Sequence, residues 1–227
     1  MPLLHYLTNL FQQIDLTNLT SLGLRVVSVF VCLTIHETSH GLAAYALGDP
    51  TAKKEHRLSL NPLRHIDPLG LLMMFFVGFG WAKPVPVDFS RLRNPRRDTL
   101  IVAAAGIITN IFLAALSALA LHWVAGLDNS IGKSIASLFL INMVAFNIVL
   151  AVFNALPIPP LDGSKILLGW SDNPKVQKFL DSYKEGSVFI IFFAFVLPVI
   201  ARYLGFDFNP FGAYLIKTSK FFISLLL

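Results

Sequence analysis

Residues 22–47 read LGLRVVSVFVCLTIHETSHGLAAYAL, a long apolar stretch that contains the pentad His36-Glu37-Thr38-Ser39-His40. A helix of this length reaches about 39 Å, which is enough to cross a membrane. On that helix the two histidines, four residues apart, share one face, and Glu37 lies about 100° round from His36. This spacing is typical of zinc hydrolases, in which the glutamate activates a water. The stretch therefore predicts a membrane-spanning helix that holds a metal site.

A second interpretation treats His36 or His40 as a packed core residue with Glu37 as its hydrogen-bond partner. The cost of placing a carboxylate in lipid without a function disfavours it. Hydrophobic residues make up 55% of the 227 residues and charged residues 14%, a composition that argues against a soluble metallopeptidase. The single cysteine, Cys32, leaves neither an intramolecular disulfide nor a cysteine-based metal site.

The rest of the chain predicts an all-α polytopic membrane protein with about four to six transmembrane helices. Residues 211–227 are apolar but carry two lysines, which leaves open whether they span the membrane or lie at its surface. Residues 68–80 are too short for a span and are typical of a re-entrant segment. We also expect a short β-strand or hairpin near residues 66–90. Four stretches meet the length of a span, namely residues 22–47, 99–124, 135–156 and 187–204.

We expect one domain over residues 1–227, with a core at 22–170 and C-terminal membrane helices at 187–227. Residues 1–21 lack a signal peptide and are too polar to span, so we expect an amphipathic segment at the membrane surface. The loops 49–97 and 158–186 together hold thirteen of the eighteen basic residues, whereas the loop 125–134 holds only Lys133. The positive-inside rule then assigns the basic loops, and the nearby histidine pair, to the cytoplasmic side. The net charge of +5 needs no nucleic-acid partner.

A zinc hydrolase site needs a third protein ligand and an open position. Asp162 follows a helix that is broken by three prolines in NALPIPPLDG, residues 154–163. Irregular backbone at membrane depth is tolerated only where it lines a cavity or packs inside the protein, which favours Asp162. An ordinary helix stop with Asp162 as the N-cap of the next helix is the alternative. The other candidates on that side are His56, His65, Asp67 and Asp88.

The chain resembles the site-2 protease family of intramembrane zinc metalloproteases. The resemblance rests on HETSH at 36–40 and FNALPIPPLDG at 153–163. Three further blocks follow the same order, namely RLSLNPLRHIDPLG at 57–70, GWAKPVPV at 80–87 and AGIITN at 105–110. Two positions depart from the family pattern, because Gly106 precedes isoleucine rather than proline and Ser164 stands where many members have a second glycine.

The resemblance implies one zinc per chain, held by His36, His40 and Asp162, with Glu37 as the catalytic base. It also implies hydrolysis of transmembrane helices near the cytosolic face, as in regulated intramembrane proteolysis. We expect a minimal core enzyme without a sensing domain, in a prokaryotic plasma membrane. Its partners would be single-span membrane proteins and lipid. The alternative is a membrane metal-ion transporter, since buried histidine and carboxylate groups also line ion paths.

Further residues are candidates for handling the substrate. Asn154 and Asn147 lie on nearly one helical face and predict donors to an oxyanion or to substrate backbone, with interhelical hydrogen bonding as the alternative. For Asn110 and Asn142 the interhelical role is favoured. His65 predicts a gating or supporting role, or an ordinary loop histidine. A substrate strand is expected to pair with Lys83, Val85 and Val87, unless this segment is only an extended linker.

Overall fold

The computed structural model describes residues 19–77, 82–171, 173–180, 192–206 and 208–227. It is 76% helical and contains no sheet in these ranges. The predicted amphipathic segment at residues 1–21 lies almost entirely outside the described residues. In chain order the helices are α1 (Leu19–Ala46), α2 (Thr51–Lys54), α3 (Pro68–Val77), α4 (Pro95–Ala125), α5 (Ile131–Asn154), α6 (Asp162–Trp170), α7 (Pro174–Leu180), α8 (Leu197–Tyr203) and α9 (Pro210–Leu226).

Three helices, α1, α4 and α5, are long and apolar enough to cross a membrane, with 28, 31 and 24 residues. They correspond to the predicted spans at 22–47, 99–124 and 135–156, each shifted by a few residues. The shifts follow local signals: Pro95 begins α4 at a position where its missing N–H costs nothing, and the Ser130 side chain caps α5 by accepting from the Lys133 N–H. The protein is therefore a membrane protein, as predicted.

The other two predicted spans have a different outcome. Residues 187–204 fall partly outside the described residues, and the described part is a π-helical turn at Phe192–Val196 followed by α8. Residues 211–227 form α9, a 17-residue helix that packs on α5 and buries Ile223. Whether either crosses the membrane stays a prediction.

The predicted re-entrant segment and β-hairpin are not confirmed. Residues 68–80 begin with α3 at Pro68–Val77, and residues 78–81 lie outside the described part. Near residues 66–90 the described residues make one antiparallel bridge, between Ile66 and Ala82. Pro84 and Pro86 carry no N–H, so they cannot extend this bridge into a ladder by donating to it.

The core lies where α4, α5 and α1 pack together through small residues. Ala114 and Ala118 of α4 meet Ala145 of α5 in one buried cluster. Small side chains allow close approach of helix backbones, which is the common way for helices to pack inside a membrane. The short helix α6 packs on α4 so closely that a Cβ at Gly169 would lie 2.7 Å from the Leu100 Cβ. This contact holds the end of α6 against α4.

The chain after α3 returns along the end of α1. Asp49 is buried, and its Oδ2 accepts a hydrogen bond from the Asp88 N–H at 2.7 Å. The Arg93 N–H donates to the Leu47 carbonyl at 3.1 Å. These bonds hold the extended segment, defined here as residues 83–88, against α1.

Candidate metal centre

His36 and His40 lie one turn apart on α1, on the face that packs against α4. They are 3% and 8% exposed, and their Nε2 atoms are 3.1 Å apart. The two rings meet edge to face, with centroids 4.6 Å apart. The arrangement matches the spacing expected for two imidazoles on one helix face.

Asp162 reaches both histidines from α6. Its Oδ2 lies 3.3 Å from Nε2 of His36 and 3.1 Å from Nε2 of His40, and the residue is 5% exposed. It is the first residue of α6 rather than its N-cap, which is Leu161, and no side-chain capping bond is present there. The N-cap interpretation of Asp162 is therefore wrong, because the carboxylate points toward the histidines.

The other candidate ligands are engaged elsewhere. Asp67 accepts from the Gly70 N–H at 2.8 Å and Asp88 pairs with Arg91 at 2.8 Å. His65 is buried with Nε2 donating to the Ser59 carbonyl at 2.8 Å, and His56 is exposed. Within the described residues, His36, His40 and Asp162 are the group of histidine, cysteine and acidic side chains arranged to hold a metal ion.

The geometry of this group fits zinc. The three donor atoms form a nearly equilateral triangle with sides of 3.1–3.3 Å. Donor atoms at this separation could all bind one zinc ion at its usual distance of about 2.1 Å. Asp162 Oδ2 is buried without a hydrogen-bond partner, and such an atom is costly unless it binds something. Two imidazole nitrogens and one carboxylate oxygen are a usual donor set for catalytic zinc.

The charged and polar neighbours of Asp162 favour its ionised form. Burial alone would raise the pKa of Asp162. The adjacent imidazoles of His36 and His40 and the ammonium of Lys165 lower this pKa by a larger amount, so it lies well below its usual range. Lys165 Nζ lies 3.5 Å from Oδ1 and leaves Oδ2 to the histidines. A carboxylate held ionised in this way is ready to bind a cation.

The glycine after Asp162 has a steric role. A Cβ at Gly163 would lie 2.5 Å from the Leu156 carbonyl oxygen and closer still to the Ala155 carbonyl oxygen. Only glycine allows the first turn of α6 to pack directly on the proline-rich end of α5. The glycine after Asp162 thus lets α6 begin close to the chain that follows α5, and this sets the position of the Asp162 carboxylate.

Hydrogen bonds behind the histidines set their orientation. His36 Nδ1 donates to Asn110 Oδ1 at 2.5 Å, and His40 Nδ1 donates to the Val102 carbonyl at 2.7 Å. With Nδ1 acting as the donor, each ring in its neutral form would offer the lone pair of Nε2 to a metal ion. Asn110 Nδ2 in turn donates to Asn147 Oδ1 at 2.6 Å, and Asn147 Nδ2 donates to the Met143 carbonyl at 2.8 Å. The chain of bonds runs from the centre to the interface of α4 and α5.

Sequence reasoning missed two of these neighbours. Asn110 was expected only to link helices, whereas it also contacts His36. Gly106 was noted only as a departure from a family pattern, yet a Cβ there would lie 2.5 Å from both His36 Cε1 and His40 Nε2. A signal was present, because the two residues are four apart and share one face of α4.

Several candidates for substrate handling make hydrogen bonds within the protein. Asn154 Nδ2 uses one of its two N–H donors in a hydrogen bond to the Leu150 carbonyl of its own helix, at 3.1 Å. Asn147 is 0% exposed, and its Oδ1 accepts a hydrogen bond from Asn110 of α4. This bond is the interhelical role that was the alternative for Asn147. The Lys83 N–H donates to the His65 carbonyl at 2.8 Å. Glu37 is half-buried, and its Oε2 accepts from the Val85 N–H at 2.8 Å.

A buried group of two histidines and a carboxylate, set among helices long and apolar enough to cross a membrane, is the arrangement expected of a membrane metalloprotein. Comparison with known proteins narrows the class. A family model described as Peptidase family M50 matches residues 122–199, a region that contains Asp162. No solved structure matches the chain.

Curated relatives agree with the family model. YwhC of Bacillus subtilis (strain 168), whose name includes zinc metalloprotease, is 39% identical over 149 residues, which cover 63% of this chain and 66% of the relative. Rip2 of Mycolicibacterium smegmatis, named in the same way, is 29% identical over 199 residues, or 82% of this chain and 73% of the relative. Rip2 of Mycobacterium tuberculosis (strain H37Rv) is 28% identical over 176 residues, or 75% and 65%. The chain thus spans about two thirds of the length of these relatives.

The predicted resemblance to peptidase family M50, the site-2 protease family, is confirmed by the family model and by these relatives. The prediction of a zinc cofactor is confirmed by relatives that are named as zinc metalloproteases and by the buried group that can hold a metal ion. Which residues bind the zinc, and what the chain cleaves, are proposals.

Proposed function

We propose that this chain is an intramembrane zinc endopeptidase that hydrolyses peptide bonds in transmembrane segments of other membrane proteins. The observation that supports it most is the triangle of His36, His40 and Asp162, which is buried among apolar helices and follows the spacing of a zinc hydrolase. Glu37 comes directly after His36 on α1 and is half-buried. A metal-ion transporter does not need a base at this position, whereas a hydrolase does.

Each of these residues has a separate role in the proposed reaction. His36, His40 and Asp162 hold the zinc, which when bound polarises a carbonyl group and makes a water more acidic. Glu37 takes a proton from the attacking water and delivers it to the departing amine. Asn110 and the Val102 carbonyl keep the two imidazoles in the required tautomer.

We place the reaction near the cytosolic face of a bacterial plasma membrane, crossed by several helices. His36 lies ten residues before the end of α1 at Ala46, which corresponds to a depth of about 15 Å along the helix. The basic loops follow that end of α1 and flank α6, and the relatives come from bacteria. Water would reach the site from that side, as hydrolysis requires.

The substrate would be a single-span membrane protein whose helix unwinds locally, since helical peptide bonds are engaged in their own hydrogen bonds. An unwound strand would pair with the extended segment. The N–H groups of Lys83 and Val85 are already bonded, so Val87, whose N–H has no partner among the described residues, is the donor left for pairing. Substrates with helix-breaking residues near the cut would be preferred.

The test uses purified protein in lipid vesicles with a reporter transmembrane segment. Glu37→Gln should retain about one zinc per chain and lose cleavage, while Asp162→Ala should lose zinc as well. Metal uptake into sealed vesicles that is unaffected by Glu37→Gln, without any cleavage by the wild type, would instead establish the transporter.

A further inference from the structure

One hydrogen bond joins the extended segment to Glu37. The buried Val85 donates its N–H to Oε2 of Glu37 at 2.8 Å. A carboxylate has two oxygens, and a bond to one of them from a backbone group fixes the rotation of the side chain, because the peptide plane cannot turn away. The second oxygen, Oε1, is then left to meet a water.

Polar groups on both sides of Val85 hold it in place. Arg57, which is 8% exposed, donates from Nη2 to the carbonyls of Lys83 at 2.8 Å and Pro84 at 3.3 Å. On the other side, the Asp88 N–H is bound by Asp49 at 2.7 Å. A buried arginine makes a firm anchor because its planar guanidinium is always charged and loses little freedom per hydrogen bond.

The local sequence leaves the Val85 N–H as the backbone donor to Glu37. Pro84 and Pro86 have no N–H, so Val85 is the one residue of Pro84-Val85-Pro86 that can donate. The approach to α1 also requires a glycine, since a Cβ at Gly41 would lie 2.9 Å from Val85 Cγ1. The close contact therefore depends on residues of both elements.

We propose that the Val85 N–H is the positioning group for the general base Glu37, and that Arg57 positions Val85 through the two carbonyls that it binds. This inference rests on the proposed function, in which Glu37 takes the proton of the attacking water. Val85 acts through Glu37 and not on the substrate, so its loss slows the chemical step rather than substrate binding.

Cleavage kinetics test the positioning, with two substitutions at the same residue. Val85→Pro removes the N–H and keeps a ring of similar bulk, whereas Val85→Ala keeps the N–H and removes more of the packing. Both should hold zinc like the wild type. We expect kcat of Val85→Pro to fall at least ten-fold below that of Val85→Ala, with KM changed less than two-fold, since misplacing a reacting group by about 1 Å costs on the order of 100-fold. Equal kcat values for the two variants, or a change confined to KM, would overturn the proposal.

Arg57 provides a second arm of the kinetic test. Arg57→Met removes the donors to both carbonyls and should lower kcat several-fold without loss of zinc. Arg57→Lys keeps a charged donor and should restore part of that loss. If Arg57→Met leaves kcat unchanged, the role of Arg57 in the proposal is wrong.

Thermal unfolding of the zinc-free protein tests the contact without any activity. Val85→Pro should lower Tm by roughly 5 °C through loss of a hydrogen bond to a charged group. In a Glu37→Ala background, where the acceptor is absent, the same substitution should lower Tm much less. Equal decreases in the two backgrounds would show that Val85 and Glu37 are not coupled and would overturn the proposal.

The outcomes separate this inference from the function on which it rests. If the wild type cleaves and Glu37→Gln does not, but Val85→Pro and Val85→Ala have equal kcat values, the protease function is supported and the positioning role of Val85 is wrong. If the wild type cleaves no membrane segment, both are overturned, whatever the Tm values show about the contact.

Discussion

Nδ1 of His36 lies 2.5 Å from Oδ1 of Asn110, and this bond ties the histidine pair to the packing of the surrounding helices. Asn110 is 0% exposed and donates to Asn147 on α5. Three helices thus contribute to the orientation of one imidazole. A change in the packing of α4 against α5 would therefore alter the orientation of the His36 imidazole.

Asn110→Ala should weaken zinc binding by about 10- to 100-fold, the usual effect of removing the hydrogen-bond partner of a metal-binding histidine. Competition with a chelator measures this affinity. Asn129→Ala is the matched control, because Asn129 lies exposed in the loop between α4 and α5. Equal affinities for Asn110→Ala and the control would show that the bond does not orient His36 for zinc.

Gly106→Ala should abolish zinc retention, because its Cβ would lie 2.5 Å from both His36 Cε1 and His40 Nε2. The zinc content after gel filtration reports the effect. Gly23→Ala provides the control, since a Cβ there meets nothing within 4 Å and alanine favours the helix. A zinc-loaded Gly106→Ala protein would contradict the close packing of α4 on the histidine pair.

Gly163→Ala should also lower zinc affinity, although its side chain would not touch zinc. Its Cβ would meet the Ala155 and Leu156 backbone, so α6 must shift and carry Asp162 with it. Chelator competition again gives the affinity. Gly126→Ala should bind zinc normally, because a Cβ at Gly126 makes only an ordinary contact of 3.5 Å. Wild-type affinity in Gly163→Ala would mean that α6 has room to adjust.

Zinc should raise Tm of the metal-free protein. A ligand at 100 times its Kd stabilises the folded state by about 2.7 kcal/mol, which corresponds to roughly 5–10 °C in a chain of this size. Asp162→Ala should lose most of this shift, whereas Asp88→Ala should keep it. Asp88 pairs with exposed Arg91 and is not near the centre. An undiminished shift in Asp162→Ala would exclude Asp162 as a ligand.

Much of the fold was predictable because its signals are local. Length and hydropathy alone predict α1, α4 and α5, and the start of α4 follows from Pro95. The β-hairpin near residues 66–90 was not predictable in the same way. Alternating Val85 and Val87 fit a strand, but pairing depends on a partner, and the described residues there provide one bridge only.

The sequence by itself determined the membrane helices, the common face of His36 and His40, and the chemical type of the centre, because helix periodicity acts over four residues. The tertiary structure decided which carboxylate meets the histidines and which groups orient them. Asn110 is 74 positions from His36, and Val85 is 48 from Glu37. Such contacts depend on how closely helices approach, and that is set by the absence of side-chain atoms at Gly106, Gly163 and Gly41. No spacing rule within one segment contains this information, because packing arises only when separate segments meet.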